Sequence, residues 1–152
     1  MMKREKIVQL ICSLLILVFI YAAFSKLLIL AGFANQLRNQ PLPHWLTRQL
    51  VWVLPAVELT TAALLFFPQT RKAGLFSALI LMTLFTMYIA LILSGAYGRI
   101  PCSCGGILNH LSWKSHLLFN VVVLLMTILG IILNRRPLGP AHLSRKPGSS
   151  KG

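Results

Sequence analysis

Residues 73–97 read AGLFSALILMTLFTMYIALILSGAY, without one charged side chain. At ~1.5 Å of rise per residue, about 20 residues cross a ~30 Å hydrocarbon core, so this stretch can span a bilayer as a single helix. It lacks the two-residue alternation of a barrel strand. A helix also satisfies its own backbone hydrogen bonds, as lipid requires.

Three further runs flank it. Residues 7–33 are apolar apart from Gln9, Ser13, Ser25 and Lys26. Residues 50–67 are interrupted by Glu58 and a Thr pair, and residues 115–133 carry only His116 and Asn120 as strongly polar groups. The expectation is an all-α integral membrane four-helix bundle over residues 1–134, with helices at about 7–33, 50–67, 73–97 and 115–133. A disordered basic tail, 135–152, rich in Pro, Gly, Ser and Lys/Arg, follows with no means of packing. Run 7–33 exceeds the ~7–15 residues of a signal-peptide core, and no small-x-small site closes it, so it is read as a retained span.

Composition agrees. Of 152 residues 57% are hydrophobic and 11% charged, with a mean hydropathy of +0.77. Soluble domains run nearer ~45–50% apolar and ~25% charged, which excludes a typical cytosolic enzyme, a disordered chain and a disulfide-dense secreted module. The net charge of +13 is not a nucleic-acid signal, because the basic residues lie between apolar runs and not on a soluble basic patch. They are a topology signal. Lys3, Arg4, Lys6, Arg71, Lys72, Arg135, Arg136, Arg145, Lys146 and Lys151 fall on one side of the spans, against Arg38, Arg48, Arg99 and Lys114 on the other. The positive-inside rule makes both termini cytoplasmic, and Trp45, Trp52 and Trp113 fall near the opposite boundary.

Chemistry concentrates in residues 98–116, GRIPCSCGGILNHLSWKSH, on the expected outer face. Cys102 and Cys104 stand one residue apart, so their Cα atoms fall near the upper end of the ~4.4–6.8 Å disulfide range. A bridge there is strained, and strained exposed disulfides tend to be labile and oxidising. Pro101 stiffens the approach, while Gly105 and Gly106 tolerate the dihedrals of a tight ring. A helix starting near Asn109 or Ser112 points its positive end at this segment; with Arg99 it favours the thiolate, the nucleophile in exchange. Two other readings stay open. The cysteines can belong to a passive turn in a membrane assembly factor. Alternatively, Cys102, Cys104, His110 and His116 can supply two thiolates and two imidazoles to Zn²⁺ or Cu(I). Cys12 lies most of a bilayer away and is expected to act as a small apolar residue. With one outer cysteine pair, a redox cycle needs a soluble thiol partner or a bound quinone.

Two charged residues lie within the spans: Lys26, near the expected outer boundary of its run, and Glu58, about eight residues below the outer start of its own. Such groups normally face an interior or find a partner. A Lys26–Glu58 pair satisfies both, with Asn120 able to join, whereas Lys26 alone could snorkel to the headgroups.

Three motifs carry a family resemblance: residues 23–27 (AFSKL), 54–59 (LPAVEL) and 101–105 (PCSCG). Over roughly residues 6–134 the chain resembles the MauE/DoxX-like family of small four-helix membrane proteins, named from methylamine utilisation. The resemblance implies a multi-pass protein of the bacterial cytoplasmic (inner) membrane and a redox role for Cys102 and Cys104. It further implies an ion-pair role for Lys26 and Glu58, a thioredoxin-like extracytoplasmic partner and a secreted client. The family is associated with maturing the disulfide-rich subunit of methylamine dehydrogenase. Gly106 departs from the pattern, since such sequences often carry an aromatic there, so the client need not be that enzyme.

Overall fold

The computed structural model describes residues 2–40, 42–95 and 113–134. All secondary structure among them is helical: α1 (Met2–Leu28), α2 (Leu30–Arg38), α3 (His44–Phe66), α4 (Arg71–Leu93) and α5 (Trp113–Asn134). Four segments are long and apolar enough to cross a membrane, Lys3–Leu28, His44–Phe66, Arg71–Leu93 and Lys114–Asn134. The all-α four-span bundle expected from the sequence is the observed architecture.

The bundle has two distinguishable ends. Arg4 Nη2 donates to the Ile132 carbonyl at 3.1 Å, so the start of α1 and the finish of α5 share one end, called here the termini end. The turn from α3 to α4 lies there too, closed by Thr70 Oγ1 donating to the Leu64 carbonyl at 2.8 Å. At the opposite end, the cap end, α1 gives way to α2, α3 begins, and the chain leaves α4 and returns as α5.

Several boundaries differ from the sequence expectation, three of them for a clear local reason. Run 7–33 is not one helix: Ile29, at φ −117° and ψ 46°, breaks it, and α2 resumes at Leu30. The second span begins at His44, not at residue 50, because Pro43 sits at the N-cap and the polar residues after it still present an apolar stripe, burying Thr47 and Val51. The third span stops at Leu93, not at residue 97, because Gly95 takes φ +76°, the left-handed conformation that ends helices at little cost to glycine. α5, described from Trp113 to Asn134, extends the expected 115–133 slightly at each end.

Inside the bundle, Leu15, Phe19, Leu65, Leu75 and Ala78 are almost wholly enclosed and anchor one cluster, in which Cys12 is a buried apolar member. A second, smaller cluster joins Phe33 and Leu37 of α2 to Val51 of α3. Outside, Leu10, Leu17, Phe66, Ile80, Leu84 and Leu125 stand exposed. In water that apolar surface would drive aggregation, and in lipid it is solvated. Small residues draw the helices together. A Cβ on Gly74 would lie 2.7 Å from the Leu65 amide nitrogen, so α3 and α4 meet backbone to backbone there. Gly74→Ala is expected to push the helices apart at a cost of ~1–3 kcal/mol, read as a lowered unfolding midpoint in micelles. An unchanged midpoint would show that the contact is dispensable.

Candidate functional site

The site follows from the level at which α1 and α3 cross. Glu58 lies about 21 Å along α3 from its start at His44, taking ~1.5 Å per residue, because that helix runs well past the end of α1. This places Glu58 deeper along its helix than a start at residue 50 implies. It also puts the carboxylate level with the last turn of α1, where Lys26 stands. Lys26 Nζ donates to Glu58 Oε1 at 2.8 Å and to Oε2 at 3.1 Å. Its third proton goes to the Ala22 carbonyl at 3.1 Å. An ammonium has three donors, and here all three are used.

The direction of the side chain decides between the two readings of Lys26. Its ammonium turns back toward residue 22 of its own helix, away from the cap end, and does not snorkel outward. The Glu58 side chain is 1% exposed and that of Lys26 13%. The Phe33 ring of α2 covers the ammonium, its centroid 5.9 Å from Nζ, a cation–π contact that replaces water with a polarisable face. The result is a sealed, mutually neutralising pair that clamps α1 to α3.

Around it the other expected residues fall unevenly. His116, half-buried on the first turn of α5, lies within electrostatic reach of Lys26. Asn120, one turn further into α5, is buried. Among the described residues, no hydrogen bond joins Asn120 to Lys26 or Glu58. Cys102, Cys104 and His110 lie outside the described residues. In the sequence they fall between the finish of α4 and the start of α5, both at the cap end.

Several further polar contacts join the helices without forming a motif in the sequence. Tyr88 Oη on α4 donates to Gln40 Oε1, and the buried Gln40 also donates through Nε2 to the Gln36 carbonyl at 3.4 Å. Thr61 and Ser77 share a hydroxyl hydrogen bond of 2.7 Å between α3 and α4. Tyr88 could have been suspected, since a tyrosine deep in a charge-free span usually finds a partner for its hydroxyl. Phe33 could not, because its role depends on the break at Ile29.

The fold and the pair define a class: a small multi-pass helical membrane protein with a buried intramembrane ion pair between its first and third helices. Residues 4–133 match the sequence pattern of the methylamine utilisation protein MauE family, and the chain belongs to that family. No curated protein and no solved structure matches it.

Proposed function

We propose that this chain is a membrane-embedded thiol–disulfide exchange protein that supports disulfide formation in an extracytoplasmic client. In this reading the cap end faces outward and the ten basic residues of the termini end and tail face the cytoplasm. What supports the reading is the Cys102-Ser-Cys104 spacing in the stretch of sequence that follows α4 and precedes α5, two helices that finish and begin at the cap end. The family's tie to methylamine utilisation supports it.

The exchange balances as follows. A client thiolate attacks the Cys102–Cys104 disulfide, one cysteine leaves as thiolate, and a mixed disulfide forms. The client's second thiolate then attacks that mixed bond, leaving a client disulfide and a Cys102/Cys104 dithiol. The dithiol is reoxidised by exchange with a thioredoxin-like partner's disulfide, or by passing two electrons and two protons to a quinone. Lys26 and Glu58 shape the wall of the bundle beneath this chemistry, and with all three ammonium protons engaged they act first as a clamp.

Differential alkylation from outside intact cells tests the proposal. Cys102 and Cys104 are expected to resist an impermeant maleimide until reduction and to label fully afterwards. Labelling only by a reagent delivered to the cytoplasm would overturn both orientation and mechanism. A metal reading keeps one point in its favour, the placement of His116 at the cap end. Stoichiometric zinc or copper in protein purified without added metal, lost with Cys102→Ser and Cys104→Ser, would select it over the redox reading.

A further inference from the structure

The two apolar clusters divide along a single level. On α3 the boundary falls at Pro55: Leu50, Val51 and Leu54 pack with the small cluster, whereas Val57, Ala62 and Leu65 pack with the main one. On the first run it falls at Ile29: Phe33 and Leu37 belong to the small cluster, Leu15 and Phe19 to the main one. Both boundary residues weaken the backbone where they stand. Pro55 sits inside α3, so the Val51 carbonyl loses its helical donor, and proline is a common site of helix bending. Ile29 is out of helical conformation between α1 and α2. The Lys26–Glu58 pair lies just below both.

We propose that α2 and residues 44–54 of α3 form a cap that hinges at Ile29 and Pro55 and controls access to Lys26 and Glu58, with Tyr88–Gln40 as its latch. The cap moves as one body because its own side chains bury one another. Phe33 and Leu37 stay seated on Val51 whether the cap is down or raised. Two contacts named among the described residues help to hold it down on the bundle. Phe33 lies over the Lys26 ammonium, and Tyr88 of α4 reaches across to Gln40 at the far end of α2. Raising the cap uncovers the ammonium without tearing either apolar cluster. Segments joined by a few backbone positions able to change dihedral are the usual construction of hinge closure. The inference stands on packing and backbone geometry and does not depend on the redox reading.

The test reads access directly. In a background of Cys12→Ala, Cys102→Ser and Cys104→Ser, the buried Ser25 beside Lys26 becomes the reporter through Ser25→Cys. The full chain is reconstituted in vesicles and treated with a small water-soluble methanethiosulfonate. Tyr88→Phe removes one hydrogen bond of the latch and is expected to raise the labelling rate roughly fivefold to tenfold. Pro55→Ala restores the helical donor to Val51, stiffens the hinge and is expected to slow labelling severalfold. A second reporter, Thr127→Cys, replaces a wholly buried residue of α5 and is expected to stay unlabelled in all three backgrounds. Failure of either variant to shift the Ser25→Cys rate overturns the hinged cap. So does labelling of Thr127→Cys that rises in step with it, because that would mean the whole bundle had loosened.

Discussion

Glu58→Gln is expected to destabilise the bundle by about 3–5 kcal/mol, the range seen when one partner of a buried ion pair is removed. The geometry explains why the loss should be near the top of what one substitution does. Glu58 accepts two of the three Lys26 hydrogen bonds from a side chain that is 1% exposed. Gln keeps the shape and one acceptor, but it turns an amide donor toward an ammonium and removes the neutralising charge. Lys26→Met leaves the opposite orphan, a carboxylate that can escape by taking a proton, so its cost should be smaller. The double variant Lys26→Met with Glu58→Leu is expected to recover most of the stability, since apolar replacement of a whole buried pair is often neutral. Unfolding midpoints of the four proteins in mixed micelles decide it. A double variant no more stable than Glu58→Gln alone would sink the claim that the pair acts as a unit. If the double variant folds but no longer supports the client, the pair has a role beyond clamping.

Much of this arrangement is legible in the residues. Residues 73–93 read as a span because they hold no charge, and basic residues such as Arg71 and Lys72 stand at its edge because lipid excludes charge. Lys26 and Glu58 are legible as partners for the same reason: each is too costly alone, and few other charges lie within the spans. What sequence does not show is how the pair is covered. Nothing in the stretch Leu28-Ile29-Leu30 signals a break, since all three residues are apolar and good in a helix. Gly32 follows three positions later, where a Cβ would meet Ile29 Cγ2 at 2.9 Å, but a glycine near a span's end has many explanations. The start of α3 was more readable than it looks. Pro43 marks it, yet polar residues after a proline resemble a loop until the burial of Thr47 and Val51 reveals the stripe. Asn120 shows the converse limit. Its chemistry suits the ion pair and its burial is real, but α5 does not bring it into hydrogen bonding with either partner.

Cys102→Ser combined with Cys104→Ser is expected to reduce client disulfide formation at least ~100-fold while leaving the protein's abundance in the membrane unchanged. The second half of that expectation comes from packing. Among the described residues, the two apolar clusters and the ion pair are built within α1–α5, and Cys→Ser exchanges a single side-chain atom at each position. The first half comes from the chemistry of exchange, in which one sulfur must accept the client thiolate while the other leaves. The single variants then differ from the double and from each other. With only the cysteine that attacks in the reoxidation step retained, its thiolate opens the thioredoxin-like partner's disulfide, and that mixed disulfide has no second thiol in this chain to resolve it and should accumulate as a band that reduction removes. With only the other sulfur retained, little or no adduct should form. Complementation of a deletion strain by each variant, beside non-reducing gels of membranes, separates the possibilities. A double variant that complements fully would make the cysteines passive and leave this chain an assembly factor. In that case the Lys26–Glu58 clamp, and not the C-x-C segment, would be the feature to follow.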